Sequence, residues 1–146
     1  MLLVVGLGWG GYVGYRQLAP YYGLGYATGR DGTVAGVTFT VTDARCGLTE
    51  PPGKQLTSVK GQFCTVEISA RNSGSKPRFV SLTLFSVQLD TGYSVRPATS
   101  AMTALSLKIE PGQTQKIHLV YDVWEGIRMD SLKVQIGYET ANIPLV

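Results

Sequence analysis

The chain contains one histidine and two cysteines, residue types often used for acid–base, nucleophilic and metal chemistry. His118 lies in an alternating segment, four positions before Asp122. Residues four apart on a strand are separated by about 13 Å, so these two side chains cannot form a direct base–orienter pair along it. The acidic residues are scattered, and no Asp-x-Asp loop suggests calcium. We therefore predict a non-enzymatic protein with no catalytic residues, no metal site and no cofactor.

The chain has two cysteines. Cys46 follows the first predicted strand, and Cys64 opens the second. They could form a disulfide or remain as two buried, reduced thiols. We favour the disulfide because the uncharged leader of the chain implies export to an oxidising compartment. Closing a loop of about 19 residues would contribute on the order of 3 kcal/mol by restricting the unfolded chain. A closed four-ligand zinc site lacks donors, since the single histidine is distant in sequence.

A Gly-x-Gly-x-x-Gly pattern at Gly6, Gly8 and Gly11, with Asp31 farther along the chain, is similar to a dinucleotide-binding fingerprint. That fingerprint needs a helix whose first amides face a pyrophosphate, within a strand–helix–strand unit. Pro20 and further glycines work against a soluble helix of normal length here, and no later helices are predicted that would cover a parallel sheet. The pattern therefore does not predict a cofactor site.

The first residues of the chain are apolar. Residues 1–15 carry no charged side chain, and Arg16 is the first charge. Fifteen residues of helix reach about 22 Å, less than a hydrocarbon core of roughly 30 Å. Two interpretations stay open: a membrane anchor over residues 1–19 whose beginning is missing, or a short signal-like region.

Small residues and aromatic residues in this segment favour the anchor. The glycines recur every four residues, at Gly6, Gly10 and Gly14, and on a helix they would form a smooth stripe for packing against another membrane helix. Aromatic residues gather toward the end of the segment, as is typical of the boundary between hydrocarbon and water. We expect residues 20–32, rich in Gly and Tyr, to be a linker, and residues 33–146 to form one folded domain.

The composition excludes several classes of protein. With 146 residues, 44% hydrophobic and only 16% charged, the chain is neither disordered nor a large α/β enzyme. Its net charge is +3, and two of its thirteen basic residues, Arg16 and Arg30, precede all ten acidic ones. The rest of the chain is therefore nearly neutral, which argues against nucleic acid as a partner.

From Thr33 onward, apolar residues recur at every second position, which predicts strands. The clearest segments are 37–42, 64–70 and 116–123. Clusters of Gly, Pro, Asn, Asp and Ser separate the predicted strands, as expected for tight turns. Seven or eight short strands predict an all-β fold, an immunoglobulin-like antiparallel β-sandwich.

Two surface features are candidates for contact with a partner. Arg71, Lys76 and Arg78 flank a predicted turn, where they are either a solvated loop or a weak contact to anionic lipid or wall polymer. Trp124 follows the last residue of a long predicted strand and is either an aromatic at the core edge or a recognition anchor.

Several stretches of the sequence resemble one family. They read FTVTDARCG, GQFCTVEISARNSG, QLDTGY and IEPGQTQKIHLVYDV, within residues 33–140. The family is the domain of unknown function DUF4352, common in actinobacterial exported and membrane-anchored proteins and grouped with the mycobacterial immunoprotective extracellular protein. Its label as a telomeric-repeat-binding factor is a misnomer. The resemblance implies an immunoglobulin-like sandwich outside the cytoplasm, often preceded by a membrane helix and a linker, and it carries over no catalytic residues.

These features predict a domain that is tethered to the cell membrane, or secreted, on the extracytoplasmic side. It would display loops and sheet edges to a protein partner or a cell-envelope component, while the N-terminal segment contacts lipid. A more specific version is an accessory subunit of a membrane or envelope assembly. The alternative is a small-ligand carrier or sensor that uses a cleft between the sheets.

Overall fold

The computed structural model describes residues 26–146, which fold almost entirely into β-structure. Their strands are β1 (Asp31–Val34), β2 (Val37–Leu48), β3 (Gly61–Asn72), β4 (Arg78–Ser81), β5 (Val87–Leu89), β6 (Ser94–Val95), β7 (Ser106–Ile109), β8 (Thr114–Trp124), β9 (Met129–Ile136) and β10 (Glu139–Pro144). Two short 3₁₀ helices span Leu82–Leu84 and Thr99–Ala101. The predicted all-β class is confirmed.

The strands form three antiparallel sheets. The first sheet has the order β1-β2-β3-β8, and the second has the order β10-β9-β5-β6. A two-stranded sheet joins β4 and β7. All of the strand pairings among residues 26–146 are antiparallel, which confirms the predicted antiparallel arrangement.

Alternation along the long strands decides which side chains are buried. The apolar residues at alternate positions are buried throughout, as in Val37, Phe39 and Val41 of β2, Val66, Ile68 and Ala70 of β3, and Ile117, Leu119, Tyr121 and Val123 of β8. The buried residues of the first and second sheets form one core. Phe39 meets Phe85 edge-on with ring centroids 5.4 Å apart, and Tyr121 donates its hydroxyl to the Phe85 carbonyl. Burial raises the pKa of Tyr121 well above its ordinary value, so this hydroxyl stays a donor.

The predicted strand count of seven or eight is too low for the described residues, because alternation does not reveal β1 and β10. β1 turns into β2 through Ala35 and Gly36, which both have positive φ. β10 fully buries only Ile143 and lies at an edge of its sheet, where Pro144 is tolerated. β4 ends at Ser81, and the first 3₁₀ helix follows it directly.

The folded body begins earlier than the expected boundary at residue 33. Tyr26 is buried, and β1 starts at Asp31, so the described part of the expected linker, residues 26–32, belongs to the body. Gly32 permits this packing, because a Cβ atom there would lie 3.1 Å from Ile143 and 3.2 Å from Ala141 of β10.

The predicted membrane anchor over residues 1–19, with its stripe Gly6, Gly10 and Gly14, lies outside the described residues. Within residues 26–146, no helix has the length and apolar character that a membrane crossing requires.

The two ends of the body are made of different loops. The end at which β2 and β8 finish carries the loops 49–60, 90–93 and 125–128, and we call it the entry end because the described chain enters there. The opposite end carries the turns 35–36, 73–77, 110–113 and 137–138, and we call it the far end. Most candidate functional residues lie at one of these ends or on the outer face of the first sheet.

Candidate functional site

Cys46 and Cys64 form the predicted disulfide, which joins the neighbouring strands β2 and β3. The register of this strand pair shifts beside Cys46. Both sulfur-bearing residues are buried, and the hydroxyl of Tyr26 lies 3.4 Å from the Cys46 sulfur. The disulfide therefore fixes the base of the loop 49–60, which shapes both the entry end and the outer face of the first sheet.

Gln62 is a buried amide that ties three segments of the entry end together. Its side-chain oxygen accepts a hydrogen bond from the Gly47 amide at 2.8 Å. Its side-chain nitrogen donates to the carbonyls of Trp124 and Ile127 at 2.9 and 3.3 Å. Leaving such a buried group unpaired would cost about 1–3 kcal/mol, so this set of bonds holds the loops after β2 and β8 in a fixed relation.

Asp122 organises the tip of the loop 49–60 from the outer face of β8. Its carboxylate accepts hydrogen bonds from the Ser58 hydroxyl, the Val59 amide at 2.8 Å and the Lys60 amide at 3.2 Å. Partial burial raises the pKa of Asp122. These hydrogen bonds and the nearby Lys60 charge lower the pKa by more than burial raises it, so the pKa lies below its ordinary value. The carboxylate is therefore a structural anchor for the loop.

Trp124, a predicted recognition residue, lies at the last position of β8 and is 48% exposed. The ammonium group of Lys60 lies 4.4 Å from the centre of its ring, a cation–π contact. Val59, next along the loop, is 91% exposed. Trp124 is thus part of an exposed apolar corner, and whether it binds a partner stays a prediction.

Three charged or titratable side chains form a row across the outer face of the first sheet. Asp43 on β2 lies directly opposite Glu67 on β3, and Glu67 lies directly opposite His118 on β8. The imidazole Nδ1 is 3.4 Å from the Glu67 carboxylate. His118 therefore faces an acidic partner across the strand rather than along it, which the sequence could not show because it does not state the register.

Glu67 is the centre of this row. Its carboxylate accepts a hydrogen bond from the Thr42 hydroxyl at 3.0 Å, and the Lys116 ammonium lies 3.7 Å away. Asp43 is paired with Arg45 at 3.0 Å, and that hydrogen bond raises the pKa of the guanidinium. Exposed pairs of this kind contribute about 0–1 kcal/mol each, so they orient the charged groups more than they stabilise the fold.

The row forms one side of a cleft on the outer face, with a volume of about 510 Å³. The cleft combines the charged row with an apolar side made by loop residues. Its lining residues are Asp43, Arg45, Leu48, Pro52, Thr65, Val66, Glu67, Ala101, Met102, Thr103, His118, Leu119 and Val120. The volume is in the range of small-ligand sites.

Lys54 holds the two loops that border the cleft. Its ammonium group donates to the carbonyl of Ser100 at 3.1 Å and to that of Met102 at 3.0 Å. The amide of Ala98 bonds the carbonyl of Val120 at 2.7 Å, which joins the same loop to β8. The cleft is therefore bordered by loops with defined backbone contacts.

The cleft places acidic and basic side chains beside an apolar surface. It can therefore bind a ligand that carries charged groups and an apolar part. Across the described part of the chain, no group of three or more His, Cys, Asp or Glu side chains is arranged to hold a metal ion. The predicted absence of catalytic residues and of a cofactor stays a prediction.

The three basic residues predicted as a contact patch lie at the far end. Arg71 and Lys76 are exposed, and Arg78 is half-buried. The turn between them is organised by buried Asn72, whose side chain donates to the carbonyls of Lys76 and Ile109 at 2.8 and 2.9 Å. Its side-chain oxygen also accepts the amide of residue 74 at 2.9 Å. Contact of this basic group with lipid or wall polymer stays a prediction.

Several residues of the site escape sequence reasoning. Asp43, Arg45 and Glu67 belong to the outward faces that alternation predicts, yet only the strand register brings them beside His118. The contacts of Lys54 and Asp122 join residues more than forty positions apart. No local pattern signals such pairs.

The fold and site together define a small disulfide-bonded β domain whose outer face carries a mixed charged and apolar cleft. A family model described as "Domain of unknown function (DUF4352)" matches residues 26–143. The chain belongs to this family, so the predicted membership is confirmed. No curated protein matches the chain.

Solved structures of three bacterial proteins have a similar fold. The yjhA protein from Bacillus subtilis is 16% identical, with a TM-score of 0.53, over 73% of this chain and 78% of that one. A conserved hypothetical protein from Bacillus anthracis is 14% identical, with a TM-score of 0.57, over 83% and 94%. A functionally unknown protein from Listeria monocytogenes EGD-e is 12% identical, with a TM-score of 0.56, over 82% and 83%. At these identities the likeness concerns the fold alone.

Proposed function

We propose that the protein is a non-enzymatic interaction domain on the extracytoplasmic side of the cell membrane, held there by its N-terminal segment. The domain displays loops and one sheet face to a protein or a cell-envelope component, as an accessory subunit of a larger assembly. Nucleic acid is not among the proposed partners. The same proposal includes a secreted form of the protein, without the membrane tether.

The observation that carries this proposal is the buried disulfide between Cys46 and Cys64. Disulfides persist in oxidising compartments and are rare in the reducing cytoplasm. The uncharged residues 1–15 add a sequence argument for export or anchoring. The nearly neutral body is suited to contacts of defined shape more than to long-range electrostatic attraction.

Two finer predictions belong to the same proposal. The facing sheets, with seven or more strands, support an immunoglobulin-like class of fold. The kinship with actinobacterial exported proteins, including the mycobacterial immunoprotective extracellular protein, rests on the sequence motifs around the two cysteines and the turn at 71–74.

Fractionation of bacterial cells that produce the full chain tests the tether. We expect the protein in the membrane pellet after a carbonate wash, released by detergent, and digested by protease added to intact cells. The variant Val5→Arg places a charge in the apolar segment and should move the protein out of the pellet, because such a charge strongly disfavours insertion. A wild-type chain that is soluble without detergent, or protected from external protease in the cytoplasm, overturns the tethered form.

Crosslinking in native membranes, read by mass spectrometry, then tests the partner. Crosslinks should concentrate on the loops and the outer face of the first sheet. Recovery of the chain without any crosslinked neighbour at saturating reagent would argue against a display function.

A second candidate function is small-ligand binding, and the cleft of about 510 Å³ favours it. This cleft lies on the outer face of the first sheet rather than between the sheets, whose buried faces form one core. A ligand there would meet Glu67 and His118 on one side and Met102 on the other.

Chemical-shift mapping of the full chain with a panel of amino acids, dipeptides and saccharides tests this second function. We expect saturable shifts at Thr65, Glu67 and Met102 for at least one class of compound. The variant Glu67→Gln should weaken that response, whereas Glu125→Gln, in the turn after β8, should leave it unchanged. Shifts that scatter over the surface, or that ignore Glu67→Gln, would contradict a site in the cleft.

A further inference from the structure

The path of the chain at the start of the described body has a definite direction. The amide of Ala27 bonds the Leu145 carbonyl at 2.8 Å, and the amide of Gly29 bonds the Val41 carbonyl at 2.7 Å. Farther along, Thr33 lies opposite Thr38. Toward lower residue numbers, therefore, the chain runs along β2 in the direction of its last residue, and it leaves the body at the entry end.

Contacts of Tyr26 fix this exit point. Its hydroxyl accepts a hydrogen bond from the amide of Met129, the first residue of β9, at 3.0 Å. The same hydroxyl lies 3.4 Å from the sulfur of Cys46. Both neighbours belong to the entry end, so residues before Tyr26 start from that end.

Three exposed apolar side chains lie at the same end, while Phe79 and Tyr138 are exposed toward the far end. Val59 is 91% exposed, Tyr93 is 69% exposed and Trp124 is 48% exposed, and they lie on the three entry-end loops or their borders. Single exposed apolar residues are ordinary. These three lie at the end from which the chain leaves the body, so a surface that holds the N-terminal segment is in a position to cover them.

The chemistry of this corner matches the polar–apolar boundary of a bilayer. Trp and Tyr favour that boundary because each combines an apolar ring with a polar group. Lys60 lies over the Trp124 ring with its ammonium group 4.4 Å from the centroid, so this corner carries a positive charge that lipid phosphate groups attract.

The length of chain between the anchor segment and the body limits the possible orientations. Six residues, 20–25, separate residue 19 from Tyr26, and fully extended this stretch spans at most about 25 Å. The twelve-residue strands β2 and β3 are each about 40 Å long. A tether of that length, attached at the entry end, keeps this end near the bilayer and the far end away from it.

We infer that the entry end, through Val59, Lys60, Tyr93 and Trp124, rests on the surface of the lipid bilayer. This inference depends on the membrane tether proposed above and adds the orientation of the body. It directs the far end, with Arg71 and Lys76, away from the membrane. The basic group then meets the cell envelope rather than the anionic lipid of its own bilayer.

Tryptophan fluorescence of the full chain in lipid vesicles tests the orientation. The chain contains two tryptophans, so Trp9→Phe leaves Trp124 as the reporter. A matched reporter is Trp9→Phe with Trp124→Phe and Tyr138→Trp, which places the fluorophore on a fully exposed far-end position. Both variants are incorporated into vesicles of phosphatidylcholine and phosphatidylglycerol, with and without brominated acyl chains, and vesicle association is measured by flotation.

Brominated lipid should quench Trp124 at least about twofold more than the tryptophan at position 138, because only the former lies at the polar–apolar boundary. Equal quenching at the two positions, or none at Trp124 in vesicles that float with the protein, would overturn the orientation and leave a protein partner as the occupant of this corner. Failure of the protein to float would overturn the tether itself and the inference with it. Circular dichroism of both variants establishes that the β fold is intact.

Discussion

The entry end and the far end are built from the same strands but hold their loops by different means. At the entry end, a disulfide, a buried glutamine and the Asp122 carboxylate fix a long loop. At the far end, short turns suffice, and one buried asparagine, Asn72, satisfies the polar groups of the turn 73–77. The difference shows that loop length determines how much fixation a loop needs, because a long loop has more conformational freedom to lose.

The two ends also differ in what they expose. The entry end presents Val59, Tyr93 and Trp124. The far end also presents an apolar ring, that of Tyr138, but it adds the exposed basic residues Arg71 and Lys76 around one turn. This basic group is what distinguishes the surface of the far end. The tests below separate the covalent, polar and electrostatic parts of this contrast.

Removal of the disulfide is expected to have the largest effect. The double variant Cys46→Ala/Cys64→Ala should lose on the order of 3 kcal/mol of unfolding free energy, because the unfolded chain regains the freedom that the crosslink removes. Urea denaturation followed by tryptophan fluorescence measures this loss. Hydrogen exchange should rise mainly in the loop 49–60 and little in the turn 73–77.

Denaturation of the wild type in strong reductant is the matched comparison, and its midpoint should fall toward that of the double variant. The double variant itself should not respond to reductant. A wild-type midpoint that is the same with and without reductant, or uniform loss of protection at both ends, would contradict the role assigned to the disulfide.

The substitution Asn72→Ala should have the largest effect of any single change at the far end. It removes the donors to the Lys76 and Ile109 carbonyls and the acceptor for the amide of residue 74, in a place from which solvent is excluded. Unpaired buried groups of this kind cost about 2 kcal/mol. Thermal and urea unfolding measure the change, and hydrogen exchange should now rise at 73–77 rather than at 49–60.

The exposed neighbour Ser73 provides the control, because its backbone amide keeps its bond to the Gly36 carbonyl when the side chain is shortened. Ser73→Ala should stay within about 0.5 kcal/mol of the wild type. An Asn72→Ala variant as stable as this control would show that water replaces the lost bonds and that the far end does not depend on this side chain.

Much of the fold can be predicted from the sequence, because alternation in β2, β3 and β8 extends over many residues and a period of two admits only strands. β1 and β10 escape such prediction for a physical reason. Each has a single buried side chain, Val34 in β1 and Ile143 in β10, so neither shows apolar residues at every second position. The cysteine pair is predictable because its members lie in β2 and β3, which follow each other in the sequence and pair in the sheet.

The candidate site is less predictable than the fold. Strand alternation places Glu67 and His118 outward, but their meeting requires the register of β3 against β8. Lys54 reaches carbonyls near residue 100 through two loops whose conformations no short motif encodes. Residues that act together through non-local contacts leave no local signal in one sequence.

The smallest of the three effects is the pH dependence of the stability that Asp122 contributes at the entry end. The pKa of Asp122 is lower in the folded protein than its ordinary value, so its ionised form stabilises the fold. That contribution is fully present above the unfolded pKa, about 4, and is lost as the pH falls through the lower folded pKa. We expect it to be about 1 kcal/mol, below the usual value for hydrogen bonds to a charged group, because solvent reaches this carboxylate.

Urea unfolding is measured between pH 2.5 and pH 7, about the range over which carboxyl groups titrate. As the pH falls, the free energy of unfolding should decrease more steeply for the wild type than for Asp122→Asn. The variant keeps one acceptor oxygen but has no charge, and it should differ from the wild type mainly above pH 4, a value close to the ordinary carboxyl pKa. Glu125→Gln controls for the general effect of removing one acidic group nearby. If Asp122→Asn and Glu125→Gln follow the same pH curve, the hydrogen bonds at the loop tip do not depend on ionisation, and fixation of the entry end belongs to the disulfide and Gln62 alone.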